Sequence, residues 1–228
     1  DLPRLPDYFA HVSELNLSRI RLTAQGSNGF LRAFTHVRKL TLSHNGLRAI
    51  PDAIAEFRGL RHLDMASNEL QATAPLSALG ELEWLDLSEN LLTEVELGGL
   101  ARLNTLYLQH NLLDDWPMTV LELRHLRSLN LQDNWVENLP EAALALQYRQ
   151  LLAGTSLSGN RLEQAACERL QVYLAQTGNG LGFSTEQLDA MIRSYQERDE
   201  LAAFDSPDYS LNHPDIETPQ EQKARWFG

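Results

Sequence analysis

Three short segments of the chain place aromatic and acidic residues at matching positions around a leucine. They are His62-Leu63-Asp64, Trp84-Leu85-Asp86 and Thr105-Leu106-Tyr107. Tryptophan and tyrosine dominate the binding energy of many protein interfaces, and neighbouring carboxylates attract Lys or Arg on a partner. These residue types indicate non-covalent binding of a protein with a basic contact surface. The predicted partner-binding residues are His62, Asp64, Trp84, Asp86, Tyr107 and Gln109.

Covalent and metal chemistry have much weaker signals. Cys167 lies in Ala-Ala-Cys-Glu-Arg-Leu, which supplies no electropositive setting for a reactive thiol, so we interpret it as a packing residue. The seven histidines lack metal-ligand spacing, and no glycine-rich phosphate loop is present. We therefore expect no catalytic residue, no metal site and no cofactor, with an enzyme site around Cys167 as the remaining alternative.

The candidate residues lie inside a repeated pattern. The segment 103–113, LNTLYLQHNLL, fits LxxLxLxxNxL, and the first and last copies of the pattern are degenerate. A period of roughly 20–29 residues is typical of a leucine-rich repeat solenoid. The predicted fold is α/β, with a curved parallel β-sheet on the concave face, short helical or 3₁₀ returns on the convex face, and C-terminal capping helices. The copies begin at Val12, Val37, Leu60, Leu82, Leu103, Leu126 and Leu152, at spacings of 25, 23, 22, 21, 23 and 26.

The repeat frame predicts which side chains share a surface. Side chains alternate along a strand, so the inner leucines face the core and the residues between them face the concave side. Stacking then aligns Trp84 and Tyr107 on adjacent strands, with Asp64 beside Asp86 at about 4.8 Å, where the carboxylates repel unless a cation lies between them. A second column holds His110 between Glu89 and Asp133, which we interpret as a solvated ladder rather than a pH switch.

The pattern also predicts domain limits. Residues 1–11 form an N-terminal cap, 12–162 about seven repeats, 163–196 C-terminal capping helices, and 197–228 an acidic linker toward a missing downstream domain. The recurring Asn of each repeat is interpreted as structural, because its amide can satisfy backbone groups at the strand exit. Prolines in the returns favour short helical turns.

Composition excludes several classes of function. A formal net charge of -12 argues against nucleic-acid binding. No apolar run approaches the ~20 residues of a membrane span, so none is expected. No signal peptide is visible, and the first residue, Asp1, indicates a fragment or a processed piece. The single cysteine cannot form an intrachain disulfide, which favours a reducing compartment.

Two further segments resemble a known family. Residues 157–162 (LSGNRL) followed by 168–174 (ERLQVYL), together with the closing Ala224-Arg225-Trp226, are similar to the junction in bacterial secreted effectors that carry leucine-rich repeats before a novel E3 ubiquitin ligase (NEL) domain. In that family a cysteine in a C-x-D motif of the ligase domain accepts ubiquitin. Cys167-Glu168-Arg169 departs from that motif, so no catalytic residue carries over.

The resemblance implies a non-catalytic substrate-recognition module of a cysteine-type E3 ubiquitin ligase effector. Such a protein is secreted by a bacterium and acts in the host cytoplasm, where its repeats bind a host protein and can contact the downstream catalytic domain of the same chain. The alternative is a generic intracellular leucine-rich repeat scaffold or phosphatase-regulatory module without a ligase, located in the cytoplasm.

Overall fold

A computed structural model describes residues 9–204 of the chain. The chain divides into two compact units, Asp1–Phe183 and Ser184–Gly228. The first unit contains one seven-stranded parallel sheet in which the strands follow one another in chain order. This architecture confirms the predicted leucine-rich repeat solenoid. The strands are β1 Glu14–Asn16, β2 Lys39–Thr41, β3 His62–Asp64, β4 Trp84–Asp86, β5 Thr105–Tyr107, β6 Ser128–Asn130 and β7 Thr155–Ser156.

The core lies behind the sheet and is built from the leucines of the repeat. The central leucines of β2 to β6 are paired in register and buried. A three-residue strand has too little apolar surface to be stable alone, so each strand depends on its neighbours to cover its inner face. In the last repeat Thr155 replaces a leucine, and its hydroxyl donates a hydrogen bond to the Leu151 carbonyl at 2.9 Å.

The recurring asparagines form the structural ladder that the sequence indicates. Asn111 is buried, and its Nδ2 donates to the carbonyls of Leu87 and Leu108 at 2.9 and 3.1 Å. Its Oδ1 accepts the Leu92 N–H at 3.0 Å. Each such amide therefore joins its own strand exit to the preceding repeat. The same arrangement recurs at Asn45, Asn68, Asn90, Asn134 and Asn160.

The residue just before the position of the recurring asparagine adopts left-handed backbone geometry in all seven repeats, including the first, where Arg19 precedes Ile20 instead of an asparagine. Six of these residues are not glycine, with φ between 52 and 61°, and the seventh is Gly159 at 78°. Their N–H groups point to the next repeat, where each of the six donates to a carbonyl at 2.9 to 3.1 Å. Inter-repeat hydrogen bonding thus compensates for a conformation that costs roughly 1–2 kcal/mol per non-glycine residue. The six are Arg19, His44, Ser67, Glu89, His110 and Asp133.

The return segments are mostly short helices. The 3₁₀ segments Asp52–Glu56, Met118–Glu122 and Glu141–Leu144 each follow a proline, which confirms the prediction for those repeats. The third repeat has a 3₁₀ turn at Leu76–Ala78, directly after Pro75, whereas the fourth has no proline in its return and passes from β4 to β5 without a helix. Other returns contain α1 Ala24–Leu31, α2 Arg149–Ala153 and 3₁₀ segments at Arg32–Phe34 and Leu146–Tyr148.

Two helices follow the repeats. Helix α3, Gln164–Thr177, ends at Gly178 with φ 74°, which suits glycine at a helix C-terminus, and belongs to the first unit. Helix α4, Thr185–Phe204, belongs to the second unit. The predicted linker boundary at residue 197 is wrong, because α4 continues to Phe204 through a charged stretch that contains no Gly or Pro. The rest of the predicted linker lies outside the described residues.

The predicted N-terminal cap also lies largely outside the described residues. Of its residues, Phe9 packs against Phe34 with ring centroids 4.7 Å apart. The Phe9 carbonyl lies 2.5 Å from Nε2 of His36. In residues 9–204, none of the helices is both long and apolar enough to span a bilayer.

Candidate functional site

Strands β3, β4 and β5 bring the predicted binding residues together. Register pairs His62 with Trp84 and Asp64 with Asp86, and then Asp86 with Tyr107. All five side chains are half-buried on the face opposite the leucine core. The two columns expected from the repeat frame are therefore present with the expected register. We call these five residues the aromatic patch.

The three rings of the patch are in direct contact. The His62 and Trp84 rings are stacked, with centroids 3.8 Å apart and planes at 4°. Tyr107 meets Trp84 edge-on, with centroids 5.6 Å apart and planes at 64°. This is a favourable geometry for aromatic pairs, because the positive edge of one ring faces the negative face of another. The rings therefore form a continuous, pre-ordered surface.

The carboxylates of the patch also close turns, a structural role that the repeat pattern did not predict. Asp86 Oδ1 accepts the Ser88 N–H at 2.8 Å and the Ser88 hydroxyl at 2.6 Å. Asp64 Oδ1 accepts the Ala66 N–H at 3.0 Å. Asn16 and Asn130 accept the equivalent N–H at the same repeat position, each at 3.0 Å. Asp and Asn commonly close such turns, so this recurrence was a signal available in the sequence.

Burial shifts the protonation of two patch residues. It raises the pKa of Asp86, an effect to which the charges of Asp64 and Glu89 add and which the Ser88 hydrogen bonds oppose. Burial also lowers the pKa of His62, as does the Lys39 ammonium, while the nearby carboxylates act in the opposite direction. His62 is therefore mainly neutral at pH 7, and the patch carries the negative charge of its aspartates.

Gln109 lies at the exit of β5 and is also half-buried. Its Oε1 is buried and accepts no hydrogen bond from the described part of the chain. Only the rest of this side chain is available to a partner. In the column of Glu89, His110 and Asp133, the histidine is near only one of the two carboxylates. His110 Nε2 lies 3.8 Å from Asp133 Oδ2, whereas Glu89 Oε2 accepts the Ser67 hydroxyl at 2.6 Å.

Cys167 has the surroundings of a packing residue. Its side chain is buried in α3, and Sγ lies 3.6 Å from the Leu162 carbonyl. Burial, with the nearby charge of Glu168, raises the pKa of its thiol to about 11. A thiol of this kind is a poor nucleophile at neutral pH, because the thiolate is the reactive form. Within residues 9–204, no group of three His, Cys, Asp or Glu residues is placed to hold a metal ion.

Comparison with known proteins identifies the repeat. A family model described as "Leucine rich repeat" matches residues 10–70. Podocan-like protein 1 of Mus musculus is 31% identical over 89% of this chain and 42% of its own length. Osteomodulin of Rattus norvegicus is 29% identical over 66% of this chain and 37% of its own. This chain therefore spans less than half of either relative.

Solved structures agree on the fold. A leucine-rich repeat protein of Leptospira interrogans superposes with a TM-score of 0.57 at 25% identity, covering 70% of this chain and 41% of that one. An internalin of Listeria monocytogenes superposes with a TM-score of 0.52 at 20% identity, covering 69% of this chain and 49% of that one. The chain contains a leucine-rich repeat domain, an architecture that offers a protein-interaction surface along its stacked strands.

Proposed function

We propose that this leucine-rich repeat domain binds a protein partner through the aromatic patch, and that the partner contributes Lys or Arg to the contact. The observation that carries the proposal is the contact of Trp84 with Tyr107 on the concave face, beside Asp86. Aromatic residues that keep part of their surface exposed are the type that anchors protein interfaces.

The fold does not require a tryptophan or an aspartate at these positions. Thr105 and Ser128 occupy the repeat position of Trp84 on the next two strands. Asn130 closes its turn with a neutral amide where Asp86 uses a carboxylate. The charge of Asp86 is moreover disfavoured by burial. Residues that folding does not need, and that carry an electrostatic cost, are candidates for function.

The geometry suits a cationic side chain. One face of Trp84 is covered by His62 at 3.8 Å, and the Tyr107 ring stands at 64° to Trp84. A Lys or Arg seated against these rings gains a cation–π contact of roughly 0.5–2 kcal/mol. Asp86 is paired in register with Tyr107, which places a carboxylate beside that seat. The patch therefore combines two attractions for the same group.

Alanine substitution of the two rings tests the proposal. We expect Trp84→Ala to weaken the affinity for a partner captured by the parent chain about 30-fold, as for a hot-spot residue worth about 2 kcal/mol, and Tyr107→Ala about ten-fold. Ser128→Ala is the matched control, because Ser128 shares the repeat position of Trp84 two strands away. It should bind within two-fold of the parent.

Calorimetric titration measures the affinities, and thermal unfolding checks that each variant remains folded. Normal binding by both ring variants would place the interface elsewhere on the domain. Equal weakening by all three variants would indicate a general defect rather than a patch.

A finer proposal concerns the parent protein. The segments 157–162 and 168–174 support the hypothesis that this domain recognises host substrates for a NEL-type ubiquitin ligase effector in the host cytoplasm. They form the end of the last repeat and part of α3. The support is this sequence resemblance alone, and a scaffold or phosphatase-regulatory module without a ligase is the alternative.

An in vitro ubiquitination reaction with the longest natural form of the protein tests the finer proposal. The ligase hypothesis predicts ubiquitin chains that depend on a cysteine in a C-x-D motif beyond Gly228, and full activity in a Cys167→Ala variant. A parent that lacks such a motif, or that forms no chains with a panel of ubiquitin-conjugating enzymes, favours the scaffold.

A further inference from the structure

An exposed line of apolar side chains follows the strand exits of three consecutive repeats. Leu91, Leu112 and Trp135 occupy the position directly after the recurring asparagine, and their side chains are 41%, 40% and 45% exposed. Repeats are spaced by about 4.8 Å along the sheet, so the three side chains are neighbours. We call them the apolar ridge.

Folding does not require apolar residues on this ridge. Glu69 holds the same position in the preceding repeat and donates its N–H to the Leu47 carbonyl at 2.8 Å. The three ridge residues make the equivalent backbone bond at 2.8 to 2.9 Å. Arg21, Gly46 and Arg161 hold this position in the other repeats. The exposed apolar side chains therefore have a cost in water that the backbone geometry does not impose.

Carboxylates border the ridge on both sides. In these three repeats, the exposed residues just before the asparagines and just after Leu92, Leu113 and Val136 include no Lys or Arg. On one side lies an open groove of about 410 Å³. It is lined by residues 93–96 and 113–119, among them the half-exposed Met118. The bordering carboxylates are Glu89, Glu94, Asp114, Asp115, Asp133 and Glu137.

The ridge already contacts one cation of the same chain. The Arg161 guanidinium lies over the Trp135 ring, 4.2 Å from its centroid. The exposed ring thus accepts an arginine from the neighbouring repeat, and acidic borders would attract further Lys or Arg along Leu112 and Leu91. A second copy of this chain is a poor occupant, because its ridge would bring the same negative borders into contact.

We propose that the apolar ridge and the groove beside it are a second docking surface, which takes a partner segment that carries apolar side chains flanked by Lys or Arg. The surface lies at the strand exits of the fourth to sixth repeats, whereas the aromatic patch lies on the strands themselves. The inference rests on exposure, position and charge at the ridge and does not depend on the proposed function of the patch.

Two synthetic peptides probe the surface directly. Both are 18-residue amphipathic helices with the same leucine pattern, one with lysines and the other with glutamates on the polar face. The parent chain should bind the Leu/Lys peptide and not the Leu/Glu peptide in calorimetric titration. A triple variant, Leu91→Gln, Leu112→Gln and Trp135→Gln, should bind the Leu/Lys peptide at least about ten-fold more weakly.

A second variant, Trp84→Ala combined with Tyr107→Ala, leaves the ridge intact and should bind the Leu/Lys peptide clearly more tightly than the triple variant does. Thermal unfolding of the triple variant checks the fold, for which Glu69 provides a natural polar precedent at the same repeat position. The proposal is overturned if the parent binds neither peptide, binds both equally, or binds no better than a folded triple variant. If only the Trp84→Ala, Tyr107→Ala variant loses binding, the peptide binds at the aromatic patch and not at the ridge.

Discussion

At the residue scale, the aspartates of the patch combine a structural role in closing turns with the proposed role in binding a basic partner. Asp86 closes a turn through Ser88, and the same closure is made by Asn130 with an amide. The charge on Asp86 is therefore separable from its hydrogen bonds. This separation allows the contribution of the carboxylate to stability and to binding to be measured independently.

We expect Asp86→Asn to raise the melting temperature at pH 7. The folded-state pKa of Asp86 lies above its ordinary value, because burial disfavours the charged form. The charged form therefore costs stability at neutral pH, and this cost disappears as the pH falls through the folded pKa toward the unfolded value near pH 4. The advantage of the variant in thermal unfolding experiments should shrink accordingly as the pH falls through the folded-state pKa of Asp86.

The same variant should bind a basic partner several-fold more weakly, as expected for the loss of a partly exposed charge pair of up to about 1 kcal/mol. Asn130→Asp is the reciprocal control, since it adds a charge at the same repeat position outside the patch. An Asp86→Asn protein that is less stable than the parent at pH 7 would show that its carboxylate supports the fold.

At the element scale, neighbouring repeats approach each other so closely that some positions in the return segments have no room for a side chain. Gly154 joins α2 to β7, and its carbonyl accepts the Leu129 N–H at 2.9 Å. A Cβ at Gly154 would lie 1.9 Å from the Arg127 carbonyl oxygen, a backbone atom that cannot rotate away. A Cβ at Gly59, by contrast, would have no neighbouring heavy atom within 4 Å.

These two glycines give a matched pair of substitutions. Gly154→Ala should lower the free energy of unfolding by about 1–3 kcal/mol, the usual cost of overpacking. Gly59→Ala should change it by less than about 0.5 kcal/mol, as for a surface site. Urea denaturation measures both. Similar changes in the free energy of unfolding for the two variants would mean that β6 and β7 can move apart to accommodate a methyl group at Gly154.

At the scale of the whole molecule, net charge favours basic partners over long distances. The chain carries a formal net charge of -12, and carboxylates lie both in the aromatic patch and along the apolar ridge. Such a field speeds the encounter with a positively charged partner, and salt screens it. The repeats provide rigid positions for these charges because every strand is paired with the next.

We expect the association rate with a basic partner to fall at least several-fold between 0.1 and 1 M NaCl, as the screening length shortens from about 10 to about 3 Å. Stopped-flow mixing at several salt concentrations measures it, with an uncharged osmolyte of matched viscosity as control. A rate that is independent of salt would exclude long-range attraction as a contributor.

The sequence by itself determined the fold and the register of the sheet. Leucines recurring every 21 to 26 residues can be buried only by stacking, so the columns containing Trp84 and Asp86 followed from the repeat count alone. The buried ladder of Asn111 and its equivalents followed from the same frame. Local patterns were sufficient because each strand contacts only its neighbours.

Tertiary structure decided how those residues are used. The stacking of His62 on Trp84, the partnership of Asp86 with Ser88 and the left-handed backbone at His110 depend on side-chain packing and on hydrogen bonds between repeats. Helix α4 also continues to Phe204, beyond the predicted end of the capping helices at residue 196, through the polar and charged residues 196–200. Such features arise from contacts across the repeats, which a periodic sequence pattern places close together without fixing their geometry.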